Sequence, residues 1–220
     1  MKFTALLSTL LAALAVASPV SFRDPAIPAE ETALTLRLFA RDDPPPPVIQ
    51  ESDNWKRATA VAKAAQVNLA ANTYHYFLVE WPRGTSPPPE SKETSAEIKK
   101  LQEKLGFDHI AVVAGIVEET TTVSKVTKNN PVAITTIKRD FRAQMYDLIK
   151  MTSGKVDTRS PFWDASRDVK KNVKYGGATT KAKVGKVKKA SDDFKKENPD
   201  YKVDSVNCAT YKDAIVKVLK

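Results

Sequence analysis

The chain has 220 residues, 42% of them hydrophobic, and 35 lysines and arginines against 26 aspartates and glutamates, for a formal net charge of +9. That is enough apolar material for a single packed core, and one cysteine excludes any intrachain disulfide, so burial alone must hold the fold. Two histidines and one cysteine also exclude a zinc cluster built from several Cys/His ligands.

Lys2 opens the chain as a positive n-region. Residues 3–16 form an apolar run broken by Thr4, Ser8 and Thr9. The run is shorter than the roughly 20 residues a spanning helix needs. It ends in Ala15-Val16-Ala17, the small-x-small pattern of a signal-peptidase site. Residues 1–17 therefore read as a cleavable signal peptide, and the mature chain is expected to begin at Ser18 and to be secreted and extracellular. Residues 18–57 carry Pro19, Pro25, Pro28 and four prolines at 44–47. Such a segment supports neither helix nor ladder bonds, so it is expected to be a disordered pro-region or linker. Lys56-Arg57 at its end is a dibasic pair of the kind cut by processing proteases, although it also fits the exposed face of a helix over residues 54–72. The first 57 residues hold six basic and seven acidic side chains, so the excess positive charge belongs to residues 58–220.

Those residues are expected to form one α+β domain, a small antiparallel sheet packed with helices. Residues 74–81 (YHYFLVEW) read as a strand, and residues 82–89 as a loop. Thr94 and Glu97 make a capping box for a helix that stops at Gly106. Residues 109–117 (HIAVVAGIV) read as a strand buried on both faces. Residues 119–136 read as a long loop or hairpin, 140–148 as a strand, and 154–177 as irregular. A helix is expected over 180–196, a short strand over 201–203, and a final helix from Asn207.

Few side chains can carry chemistry. The chain has no Gly-x-Ser-x-Gly elbow and no glycine-rich phosphate loop, so neither cofactor nor metal is expected. His109 and Cys208 remain as candidate catalytic residues. Cys208 opens a helix, where free N–H groups and the helix dipole favour a thiolate, and a histidine on a neighbouring strand would complete a nucleophile–base pair. Against this stand two plain alternatives: Cys208 as a small buried hydrophobe, and His109 as a satisfied strand-end histidine. His75, among aromatics, reads as structural.

Gly-Phe-Asp-His-Ile-Ala-Val-Val (106–113), a later strand, and Val-Asn-Cys-Ala-Thr-Tyr (206–211) at the start of the last helix together resemble the circularly permuted papain-like fold. This is the fold of NlpC-type hydrolases, lecithin:retinol acyltransferase-like proteins and PPPDE peptidases. The resemblance spans roughly residues 74–219 and implies Cys208 as nucleophile and His109 as base. The family's third polar residue has no clear match, with Gln144 and Thr121 as candidates. The signal peptide and pro-segment resemble those of secreted proteins of filamentous fungi, many of them effectors. Three functions follow: a secreted cysteine hydrolase or acyltransferase, a non-enzymatic effector or toxin, and a basic surface-binding protein. The expected partner is an unknown host or substrate molecule. The lysines between positions 170 and 196 could also bind polyanions or anionic surfaces without sequence specificity.

Overall fold

The computed structural model describes residues 45–128 and 132–220. The expected signal peptide (1–17) and the expected linker up to residue 44 lie outside the described residues.

Folding begins inside the segment expected to be disordered. Strand β1 (Val48–Glu51) starts directly after the prolines, and helix α1 (Asp53–Ala64) follows. Proline is tolerated before an edge strand, and β1 pairs on one side only, parallel to Thr136–Arg139. Ser52 then caps α1, its hydroxyl accepting from the Trp55 N–H at 3.0 Å. Lys56 and Arg57 sit in the first half of this helix, where Arg57 Nη2 donates to the Lys171 carbonyl at 2.9 Å. The boundary between linker and domain therefore falls before residue 48 rather than at residue 57.

Beyond α1 come β2 (Tyr74–Pro82), α2 (Ser95–Leu105), β3 (Phe107–Val123), β4 (Thr135–Lys150), β5 (Val156–Arg159), a 3-10 turn (Ala165–Asp168), β6 (Asn172–Thr179), α3 (Lys181–Glu197) and α4 (Cys208–Leu219). The class is α+β. The six-stranded sheet runs β1-β4-β3-β2-β6, with β5 pairing β4. It is mixed rather than purely antiparallel, because β1 runs parallel to β4.

Of the two forms open for 119–136, the hairpin is made: Glu119–Val123 pairs with Thr135–Arg139, since a run of threonines suits an extended backbone. The region 154–177 holds β5, the 3-10 turn and most of β6. Gly176 and Gly177 lie in β6, with the ring of Tyr76 against them. A Cβ at Gly176 would stand 2.3 Å from Tyr76 Cε2, so glycine is required by close approach. The short strand expected over 201–203 is an isolated bridge between Lys202 and Val206.

Apolar alternation sends residues to both sheet faces. Phe77, Val79, Ala111, Val113, Phe141 and Trp163 pack under Trp55 and Ala58 of α1. On the other face Tyr76, Val112, Ala114, Tyr146 and Leu148 meet Leu101 of α2, Val187 of α3 and Tyr211, Ile215 and Leu219 of α4. Phe77, Phe141 and Trp163 form edge and stacked ring pairs with centroids 5.2 to 6.5 Å apart, each worth about 0.5–1.5 kcal/mol beyond area. β3 thus lies in the middle of three layers, and His109 stands near its start. Among the described residues no helix is long and apolar enough to cross a membrane.

Candidate active site

Asn207 builds the start of α4. Its Oδ1 accepts from the N–H groups of Ala209 (2.9 Å) and Thr210 (3.1 Å), and Thr210 Oγ1 accepts from the Asn207 N–H. The cap takes those N–H groups and not that of Cys208, the first helical residue. Its Nδ2 also donates to the Val203 carbonyl at 2.6 Å, which ties the approach to the helix. Cys208 is fully buried and packs with Ile110 and Ala209, under Leu78, Leu105 and Phe107.

His109 is also fully buried. Its neighbour Asp108 accepts from the N–H groups of Gly84 and Thr85 and from Gln102 Nε2. The start of β3 is thereby pinned to α2 and to the loop after β2. Trp81 on β2 is the cross-strand partner of His109, its ring edge-on to the imidazole at 4.9 Å between centroids.

The imidazole bonds to a residue that the sequence reading did not single out. His109 Nε2 lies 2.5 Å from Asp147 Oδ1, both groups buried. The other ring nitrogen, Nδ1, is sealed from solvent and completes no hydrogen bond. The Cys208 side chain lies close enough to the imidazole to act on its charge. Burial alone would push the His109 pKa down. Its interactions with Asp147 and with Cys208 outweigh burial and hold the imidazole well above the ordinary histidine range.

Cys208, His109 and Asp147 therefore form one buried cluster around the imidazole. The candidates Gln144 and Thr121 lie elsewhere. Gln144 Oε1 accepts from the Tyr146 hydroxyl at 3.1 Å, and Thr121 is exposed in the distal half of the β3–β4 hairpin, paired with Ile137. A signal for Asp147 was present: it is the one charge in Tyr-Asp-Leu-Ile (146–149), otherwise apolar and now entirely buried. A charge in a buried strand needs a partner, and only the fold identifies it as His109.

A cavity of about 370 Å³ adjoins the cluster on the Asp147 side, with Trp81, Met145, Trp163, Asp168 and Lys171 among its walls. Lys171 Nζ lies 4.0 Å from the Trp81 ring centroid and 2.6 Å from Asp168 Oδ1. His75 is structural, held by Thr73 Oγ1 at 2.8 Å and the Tyr175 hydroxyl at 3.0 Å. The lysines do not make one uniform patch. Lys171 and Lys174 pair with Asp168 and Glu80, while α3 carries most of the rest on its solvent side, with Lys189 and Lys195 paired to Asp193 and Asp157. Among the described residues no group of three His, Cys, Asp or Glu side chains could hold a metal. No protein-family model, curated protein or solved structure matches the chain.

Proposed function

We propose that this protein is a secreted cysteine hydrolase or acyltransferase on a permuted papain-like scaffold, with Cys208 as nucleophile, His109 as general base and acid, and Asp147 as the group that orients and charges His109. The observation that carries this reading is the His109 imidazole, held by the Asp147 carboxylate at 2.5 Å on one nitrogen, unpartnered on the other, and in the field of the Cys208 thiol.

The chemistry follows from the roles. His109 takes the thiol proton, and the Cys208 sulfur attacks the carbonyl carbon of an amide, ester or thioester. The S–C bond forms, the bond to the leaving nitrogen, oxygen or sulfur breaks, and His109 gives its proton to the leaving group. Water or an acceptor then attacks the thioester carbonyl as His109 takes its proton, the S–C bond breaks, the acyl product leaves, and His109 returns the proton to the sulfur. The helix start supplies the Cys208 N–H toward the oxyanion.

Iodoacetamide tests the nucleophile directly. In the full chain at pH 7, His109→Ala should slow alkylation of Cys208 by at least about tenfold, the effect of one pK unit. Cys208→Ala should abolish both labelling and turnover of a p-nitrophenyl ester. Equal alkylation rates with and without His109 would overturn the reading. The complete burial of Cys208 favours a second reading, a non-enzymatic effector or toxin on the same scaffold, and that result would support it. Secretion rests on residues 1–17. Intact-mass measurement of protein recovered from the medium should give a chain beginning at Ser18, and a mass that includes Met1 would refute it.

A further inference from the structure

Single apolar side chains on a surface need no partner, but a group of them set among charges of one sign marks a contact. Such a group stands at the end of the β3–β4 hairpin. The core stops at Val117 on β3 and Phe141 on β4, which pair with each other. Beyond that pair no described residue up to the tip is buried. From Val117 to Val123 the rise of a strand carries the hairpin about 20 Å past the core.

The arm is held by its own bonds. Threonines at 120–122 favour the extended backbone, and β1 pairs along Thr136–Arg139. Arg139 ties the three strands together, 2.8 Å from Glu119 and 3.6 Å from Glu51. Ser124 and Ile134 close the ladder. The Ser124 N–H donates to the Ile134 carbonyl at 2.9 Å, and the Ile134 N–H to Ser124 Oγ at 2.8 Å.

At this end the chain exposes what it elsewhere buries. Val123 is 62% exposed, Val126 61%, Val132 48% and Ile134 37%. From Thr120 to Arg139 the sequence holds no aspartate or glutamate. Lys125 and Lys128 flank Val126, both exposed, and neither meets a carboxylate among the described residues. The lysines of α3 differ, since Asp192, Asp193 and Glu197 share that helix and Lys189 pairs with Asp193.

The chemistry of the tip selects among partners. A nucleic acid is gripped by arginines and stacked on aromatic rings. The tip has no aromatic ring, and Arg139 is committed to carboxylates. A second copy meeting tip to tip would bring Lys125 and Lys128 against their own kind. An anionic bilayer surface satisfies both halves of the group. Aliphatic side chains gain by entering the boundary between headgroups and acyl chains, while ammonium groups stay at the anionic headgroups.

We infer that the tip of the β3–β4 hairpin docks on an anionic phospholipid surface, with Val123, Val126, Val132 and Ile134 entering the headgroup boundary and Lys125 and Lys128 meeting the headgroups. The contact is peripheral and does not depend on any chemistry at Cys208.

Co-sedimentation with vesicles tests this on the chain as recovered from the producing culture, residues before Pro45 being the same in every arm. At about 0.1 M sodium chloride, binding to phosphatidylcholine–phosphatidylserine vesicles should exceed binding to phosphatidylcholine alone by at least about tenfold. Val126→Ser with Val132→Ser keeps the charge and should weaken binding by at least about tenfold. Lys125→Gln with Lys128→Gln should weaken it similarly. Lys186→Gln with Lys188→Gln on α3 should leave it unchanged. A local readout comes from Val126→Trp, because the native indoles of Trp55, Trp81 and Trp163 are buried. Its emission should move to shorter wavelength when the anionic vesicles are added. Equal binding to phosphatidylcholine alone, full binding by the serine pair, an equal loss in the α3 pair, or an unmoved Val126→Trp spectrum overturns the inference. So does a dimer in solution that the serine pair dissolves, or binding of oligothymidylate that it abolishes, since either assigns the tip to another partner.

Discussion

Asp147→Ala should destabilise the fold by about 3–5 kcal/mol, the cost of leaving one member of a buried charged pair without its partner. Urea unfolding at pH 6 measures it, and a loss below about 1 kcal/mol would show that the pair is not the buried contact at 2.5 Å. The pH dependence adds a second readout. The folded pKa of His109 is raised well above its ordinary value, through Asp147 and Cys208 acting against burial. A raised histidine contributes stability that is fully present below its unfolded pKa, near about 6.5, and lost as pH rises through the folded value. Wild-type stability should therefore decline on going from pH 6 to more alkaline solution, and Asp147→Asn should flatten that slope. The asparagine can still hold the ring through its amide oxygen, so it should cost less stability than alanine. Because it no longer charges the imidazole, it should slow Cys208 alkylation.

Trp81→Ala should have the second large effect, again about 3–5 kcal/mol, as expected when a buried large aromatic is removed. Trp81 is 4% exposed and stands edge-on to His109, with Lys171 over its ring. It forms the wall between the imidazole and the cavity that Asp147 also lines. Removing it joins that space to the His109–Asp147 bond. Water there raises the local dielectric and weakens the carboxylate's hold on the imidazole. The His109-dependent rise of the alkylation rate should then shift to higher pH than in the wild type, because a less charged imidazole stabilises the thiolate less, while Trp81→Phe should keep most of both properties. A Trp81→Ala protein with wild-type stability and an unshifted pH profile would show that the indole neither packs on nor shields the imidazole.

Much of the fold was legible because its signals are local. The Thr94–Glu97 capping box and the Asn207 cap involve residues three apart, and each is made. The apolar runs of β2 and β3 announce strands by alternation and β-branching, and their burial on both faces follows from having no polar side. Cys208 at a helix start and His109 at the start of a strand were readable for the same reason. What the sequence left open depends on register and on distant partners. β1 hides behind four prolines because its ladder is to residues 88 positions away. β6 hides behind two glycines whose purpose is the ring of Tyr76.

The amino-acid sequence by itself determined where helices begin, which strands are apolar, that no disulfide could form, and that Cys208 and His109 were the candidates for chemistry. Only the tertiary structure decided that Asp147, 38 residues from His109, joins the imidazole and Cys208 in one buried cluster. The physical reason is that a cap or an alternation is satisfied within one turn or one strand. A buried charge is satisfied only by whatever the sheet register sets against it.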